Sequence, residues 1–368
     1  MSAEAPIPLV DRVAAHREIA DRVARDFADV MSRAAFVLGE EVAAFEREFA
    51  AFVGTSHCIG VANGTDALEL ALRALGIGVG DEVILPTNTF IATALAVVRA
   101  GGTPVLVECD PVHLLIDVAA ALERIGPRTK AIVPVHLFGQ MAPLEDLIGA
   151  AVPVIEDAAQ AQGATRHGRG IGTTCVAAGT SFYPGKNLGA YGDGGAVLTT
   201  SDAIAARVRS LRNYGSERKY HHAELGFNSR LDTLQAVVLR AKLERLAAAN
   251  AARRRAAERY ETLLDGCDAV LRPSVLAGNE HVWHLYVVRV SRRDQVLRAL
   301  HAAGIGAGVH YPVPIHLQGA FAQLGHRRGD FPVAERAADE VLSLPIFPEI
   351  TAAQQERVVE ALRRAIVS

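Results

Sequence analysis

Cysteine is scarce and badly placed for metal or crosslinking chemistry: Cys58, Cys109, Cys175 and Cys267 lie far apart and form no CxxC pair. That excludes a zinc knuckle and a disulfide framework and fits a reducing cytoplasm. Charge of one sign is also missing. The formal net charge is -3 and the basic residues are scattered, so no face suited to nucleic acid is expected. No apolar run reaches the ~20 residues needed to span a bilayer. The opening MSAEAPIPLV lacks the basic start and apolar core of a signal peptide, so a soluble cytoplasmic protein with no membrane partner is expected. Asn63-Gly64-Thr65 matches a glycosylation sequon, a pattern with meaning only in a secreted chain. No internal repeat is visible, and no low-complexity segment beyond Ala-rich helix.

What is present is enough apolar residue for a large core: 368 residues, 50% of them hydrophobic, expected to form two packed domains. From about residue 57 the runs HCIGVAN, EVILPT, TPVLVE, KAIVPVHLFG, VPVIED, TSFY and GGAVLTT alternate with helical patterns. They are mostly β-branched and do not alternate in polarity, as strands of a parallel sheet covered on both faces must not. Leu68, Ala71, Leu72 and Leu75 repeat at helical spacing before a stop at Gly76. A long Ala/Leu/Arg/Glu stretch from Leu231 is expected to link the two domains. HVWHLYVVRV, with β character, and helices near QVLRALHAAG and AAQQERVVEALRRAI then suit a smaller α+β unit. The expected division is residues 1–245 for the large domain, with an N-terminal helical segment, and 246–368 for the small one.

Four windows carry chemistry. In TSFYPGKNLGAYGDGGAV, Pro184-Gly185 stops a strand just before Lys186. An amine projecting into a poorly solvated crevice can lose its proton and attack an aldehyde, although the window describes a solvated loop lysine equally well. In VPVIEDAAQA a strand runs into Asp157 at its C-terminal end, where open α/β sheets bind ligands. A carboxylate there can pair with a pyridinium nitrogen, or simply cap the next helix. In ANGTDALELALRALG the helix start at Gly64-Thr65 can bind phosphate through free N–H groups, or be an N-cap without a ligand. In TNTFIATALAVVRAG, Phe90 can cover a planar ring; taken alone it reads as core packing. One site holding pyridoxal phosphate accounts for all four.

These windows resemble the DegT/DnrJ/EryC1/StrS family of nucleotide-sugar aminotransferases over nearly the whole chain. The residues that carry the resemblance are NGTDAL, GDEVILPTNTFIAT, VIEDAAQAQGA, SFYPGKNLGAYGDGGAV, LRNYGSERKYHHAELGFNSRLDTLQAVVL and HYPVPIHLQ. It implies an α/β protein of the pyridoxal-phosphate-dependent transferase fold type I, aspartate aminotransferase-like. Its large domain would hold a mainly parallel seven-stranded sheet, with a smaller α+β C-terminal domain. It further implies a homodimer with shared active sites, pyridoxal 5'-phosphate as cofactor, L-glutamate as donor and a nucleotide-linked keto-sugar as acceptor.

By the same resemblance Lys186 is the lysine that bonds the cofactor's aldehyde, Asp157 pairs its ring nitrogen, Gln160 lies beside the ring and Phe90 stacks on it. Gly64, Thr65 and Ser181 hold the phosphate, with Asn228 reaching over from the partner. Related sugar dehydratases carry histidine where this chain has Lys186, which favours transamination. LRNYGSERKY and GFNSRLD most resemble enzymes of thymidine-diphosphate-linked 3-keto-6-deoxyhexoses; a 4-keto-sugar or a uridine-diphosphate 3-keto-uronate is the nearest alternative acceptor. A non-catalytic regulator that binds the cofactor is a more distant one. Tyr183, the His221-His222 pair, Arg230, His310 and Tyr311 flank the motifs and carry donors suited to a sugar or diphosphate, with an exposed loop the other reading of the His pair. His281 and His284, either side of Trp283, are expected to be structural, and no metal site is expected because no third ligand is spaced to join them.

Overall fold

The computed structural model describes residues 5–367. Seven strands, numbered in chain order, build its main sheet: β1 (His57–Val61), β2 (Glu82–Pro86), β3 (Thr103–Val107), β4 (Thr129–Ile132), β5 (Ile155–Asp157), β6 (Ala177–Ser181) and β7 (Gly195–Thr199). Parallel pairing joins β3 to β2, β2 to β4 and β5 to β6, and the parallel bridges Ile132–Val154 and Val135–Asp157 join β4 to β5. Only β7 runs the other way, antiparallel to both β6 and β1. The order is therefore β3-β2-β4-β5-β6-β7-β1, with six of the seven strands pointing to one edge. Helices Gly64–Leu75 and Ile91–Ala100 pack on one face, and helix Glu40–Val53 with the start of helix Thr233–Leu263 on the other. Burial on both faces explains why the strands read as continuous apolar runs.

One strand differs from expectation. TSFY is not its body: β6 spans Ala177–Ser181 and ends before Phe182. Small residues are required there because a Cβ on Gly179 would stand 2.8 Å from Leu68 Cδ2, so the helix above lies directly on the strand. Likewise only Tyr286–Val290 of HVWHLYVVRV is a strand, here β9, paired antiparallel with β8 (Val270–Leu271) and β10 (Val341–Leu344).

Helix Thr233–Leu263 joins two cores. Ala236, Leu239, Leu243 and Leu246 pack under the large sheet, whereas Ala256, Ala257 and Tyr260 pack with Tyr286, Val288 and Leu362 of the C-terminal unit. The boundary expected between residues 245 and 246 thus falls inside one unbroken helix. The N-terminus also departs from it: Ile7 is 1% exposed within the C-terminal core and forms a parallel bridge with Ile305. Burying that side chain stabilises the unit by roughly 2 kcal/mol, which is why the chain's first described residues sit with its last. Among the described residues no helix is long and apolar enough to cross a membrane.

Candidate active site

The strand ends at one edge of the sheet gather the four windows. Asp157 closes β5, Ser181 closes β6, Gly64 follows β1 and Phe90 follows β2. Lys186 lies in the turn between β6 and β7, with its N–H bonded to the Tyr183 carbonyl at 2.8 Å.

Asp157 is buried. One carboxylate oxygen accepts the Thr93 hydroxyl at 2.7 Å and the other the Ala159 N–H at 3.1 Å. Burial pushes its pKa up, opposed by those two bonds and by the charges of Lys186 and His136. Lys186 is partly accessible in the isolated subunit, yet protein packed around its amine lowers the pKa to about 8, with Asp157 pulling the other way. In the pair, burial raises the Asp157 carboxyl against the pull of its two donors, and burial makes the Lys186 amine easier to deprotonate.

Gln160 is fixed at both ends of its carboxamide. Its oxygen accepts the Phe138 N–H at 2.6 Å, and its nitrogen donates to the Tyr311 hydroxyl at 3.0 Å. Burial raises the Tyr311 pKa, so the phenol keeps its proton. Its ring meets Phe90 at 5.2 Å between centroids; Phe90 is 51% exposed, a poor position for a core residue and a good one for an aromatic cover. His310 bonds Ser343 Oγ through Nδ1 at 2.8 Å, and burial lowers its pKa to about 4. It is neutral at pH 7.

The helix Gly64–Leu75 starts on Asn63, whose side chain accepts the Asp66 N–H. Helix geometry leaves the Gly64 and Thr65 N–H groups without intrahelical acceptors, aimed out of the helix. Ser181 stands so close that a Cβ on Gly64 would lie 2.6 Å from Ser181 Cβ. Two free N–H groups, two hydroxyls and a glycine kept bare by its neighbour make a cradle for a phosphate. With the Asp157 carboxylate, the Lys186 amine and the half-exposed Phe90 ring, the donor set fits pyridoxal phosphate.

The other expected residues form a second group. His221 lies on an exposed hairpin, Ser216–Arg218 with His221–His222, its Nε2 against the Arg218 guanidinium. Arg230 covers the Tyr214 ring at 5.5 Å and reaches Asn213. Asn228 is exposed at a bridge with Asn213, next to Ser229, whose hydroxyl donates to Asp66 at the start of the phosphate-type helix. Tyr183 is 54% exposed at the crevice mouth. Of the expected substrate residues, Tyr311, His310 and Tyr183, whose carbonyl accepts the Lys186 N–H, lie near Lys186; His221 and Arg230 do not join them.

Two residues beside the site had no such role in the sequence reading. Thr93, which bonds Asp157, is three residues past Phe90; its signal is a polar side chain on the first turn of a helix whose only other polar residue is Arg99 in its last turn. His284 was read as structural, yet it bonds Asn187, the residue after Lys186, at 3.2 Å, and the Lys186 charge bears on its pKa.

The chain matches the model of the DegT/DnrJ/EryC1/StrS aminotransferase family over residues 17–363. It is 47% identical to the "Erythromycin biosynthesis sensory transduction protein EryC1" of Saccharopolyspora erythraea, covering 97% of this chain and 99% of that one. It is 46% identical to the dTDP-3-amino-3,4,6-trideoxy-alpha-D-glucose transaminase of Streptomyces venezuelae, over 98% of this chain and 97% of that protein. The crystal structure of S. venezuelae DesV in complex with a ketimine intermediate superposes with a TM-score of 0.96 at 45% identity, covering 98% of each chain. The chain therefore belongs to the DegT/DnrJ/EryC1/StrS aminotransferase family, and it is an aminotransferase that works with pyridoxal phosphate.

Proposed function

We propose that this nucleotide-sugar aminotransferase moves the amino group of L-glutamate to the C3 carbonyl of a thymidine-diphosphate-linked 3-keto-6-deoxyhexose, with Lys186 as the reacting amine. The observation that carries the reading is the gathering, at the C-terminal edge of the sheet, of the buried Asp157 carboxyl that closes β5 and the Lys186 turn that follows β6. Bound pyridoxal phosphate supplies an aldehyde that exchanges amino groups and a ring that draws electrons from the breaking bond.

The chain's residues do the rest. Gly64, Thr65 and Ser181 hold the phosphate, and Asn228 of a second copy reaches the same group, so the working form is a homodimer. Phe90 covers one face of the ring and Gln160 lies beside it. Asp157 holds the proton on the ring nitrogen. With the cofactor bound, the Lys186 amine would carry the proton taken from the α-carbon of glutamate across to the acceptor carbon of the cofactor, and in the second half would carry one back to C3 of the sugar. The neutral His310 and the protonated Tyr311 hydroxyl offer hydrogen bonds to sugar hydroxyls. The exposed Tyr183, beside the Lys186 turn, and Arg230 and His221, on and beside the exposed hairpin, suit the diphosphate.

Absorbance of the purified enzyme tests the reading. A visible band that shifts with glutamate is expected to return with one member of a panel of thymidine- and uridine-diphosphate keto-sugars, and NMR of the product is expected to place the new C–N bond at C3. A product aminated at C4, or reaction with a uridine-diphosphate 3-keto-uronate alone, replaces the acceptor; no shift with any donor leaves a regulator. Gly64→Ala tests the cradle. The added Cβ meets Ser181 at 2.6 Å, and moving the helix start or the strand end costs about 1–3 kcal/mol. Pyridoxal phosphate affinity, read by fluorescence titration of the apoenzyme, is expected to fall about tenfold or more. An unchanged affinity removes Gly64 from the phosphate site.

A further inference from the structure

The turn carrying Lys186 is tied down by its next residue. Asn187 donates one carboxamide hydrogen to Asn250 Oδ1 at 3.0 Å and the other to the Val282 carbonyl at 2.9 Å. Asn250, buried on helix Thr233–Leu263, in turn donates to the Gln162 carbonyl at 2.9 Å. There is no slack in that contact: Gly163 sits at φ +88°, and a Cβ on it would lie 2.7 Å from the Asn250 amide.

With both hydrogens committed, Asn187 offers His284 only its oxygen, at 3.2 Å from Nδ1. The His284 tautomer follows: Nδ1 carries the hydrogen and Nε2 is a bare acceptor. His284 is 7% exposed and kept neutral by burial, with the charges of Lys186, Arg253, His310 and His281 adding to the effect. A surface-independent chain thus runs from the loop of Gln160 and Gln162 through Asn250 and Asn187 to the strand entering the smaller unit.

We propose that the His284–Asn187 hydrogen bond is a positioning device for transamination, holding the Lys186 turn so that its amine stays at the strand ends on the side of Asp157. This rests on reading Lys186 as the reacting amine. His284 was expected to be structural; the bond gives it a role in the reaction through its neighbour. Without the donor on His284, the Asn187 oxygen is left buried and unpaired, the turn loosens and water reaches the amine.

The amine itself reports the outcome, without substrate or cofactor. The groups that face it are Asp157 from β5 and His284 and His310 from the smaller unit. The chain's lysines are Lys130, Lys186, Lys219 and Lys242, so 13C NMR of apoenzyme labelled at lysine Cε resolves each titration, with Lys186→Arg assigning the signal. The wild-type Lys186 midpoint is expected at about 8. His284→Ala is expected to raise it by about one unit or more, toward the solvated value. His284→Asn, which keeps a donor near the Nδ1 position, is expected to restore it.

An unmoved Lys186 midpoint in His284→Ala, or an equal shift in His284→Asn, overturns the proposal. Should His284→Ala not fold, His284→Leu keeps the volume without the donor and is read the same way. Failure of borohydride to fix pyridoxal phosphate on Lys186 sinks the assignment of the reacting amine; an unmoved midpoint sinks only the positioning role.

Discussion

Lys186→Ala is expected to lower the turnover of glutamate and keto-sugar by at least about 10³-fold, because one amine serves both as the cofactor's attachment and as the proton carrier, and proton transfer alone accounts for ~10²–10⁴. The fold is expected to survive. The amine is desolvated, with its pKa lowered to about 8, so removing it relieves a burial cost instead of creating an unpaired charge. The main-chain bond from Lys186 N to the Tyr183 carbonyl does not depend on the side chain. Circular dichroism and thermal melting close to wild type, together with loss of the band fixed by borohydride, separate this result from misfolding. Turnover within tenfold of wild type would defeat the assignment. For the cofactor-free chain the direction with pH is set too: a lowered amine pKa means the reactive, uncharged form grows as pH rises through about 8, so attachment of pyridoxal phosphate is expected to accelerate over that range.

How much of this could be read from residues alone varied with the range of the interaction. The strands of the large sheet were legible because strands buried on both faces carry continuous apolar runs, and the seven runs correspond to β1–β7. Local stops were legible in part: Pro184-Gly185 places Lys186 in a turn, although β6 has already ended at Ser181. The start of β6 was not, because Ala177-Ala178-Gly179 has little strand character of its own and is strand only because the Gly64–Leu75 helix presses on it. Ile7 shows the limit most plainly. Its place beside Ile305 is decided by a contact across almost the entire chain, and nothing near residue 7 announces it.

The site divides along the same line. Lys186, Asp157, Gly64 and Phe90 follow strand ends, so their gathering at one edge follows from the parallel sheet. The parts that tune them, Thr93 on Asp157 and Asn187 on His284, are side-chain contacts over long sequence separation. His284 illustrates the loss. A histidine beside a tryptophan in an apolar run reads as core, and its burial is real; what the run cannot show is that Asn187 lies against its ring. Asn228, His221 and Arg230 stand apart from Lys186 within one subunit, on and beside the exposed hairpin, and sequence spacing alone does not show that separation.

Asp157→Asn is the second change with a large expected effect, a fall of about 10²–10⁴-fold in the rate at which glutamate converts the enzyme, read by stopped-flow absorbance. The substitution preserves shape. Asn can still accept the Ala159 N–H, but its amide nitrogen cannot accept the Thr93 hydroxyl, so the new side chain either turns or leaves that donor without its partner. The greater loss is charge. A carboxylate in a buried position holds a proton on a ring nitrogen because separating the two charges there is costly; a neutral carboxamide exerts no such hold. Protonation of the ring nitrogen in the variant then follows the solution, so its residual rate is expected to fall as pH rises, over a range where the wild-type ring nitrogen stays protonated. Thr93→Val separates the contributions of carboxyl group and hydrogen bond: it keeps the carboxyl group while removing one of its donors, so burial lifts the Asp157 pKa further and the loss is expected to be smaller, on the order of tenfold. A Thr93→Val loss as large as that of Asp157→Asn would move the decisive role from the charge to the orientation of the carboxylate, and a wild-type rate in Asp157→Asn would remove Asp157 from the reaction.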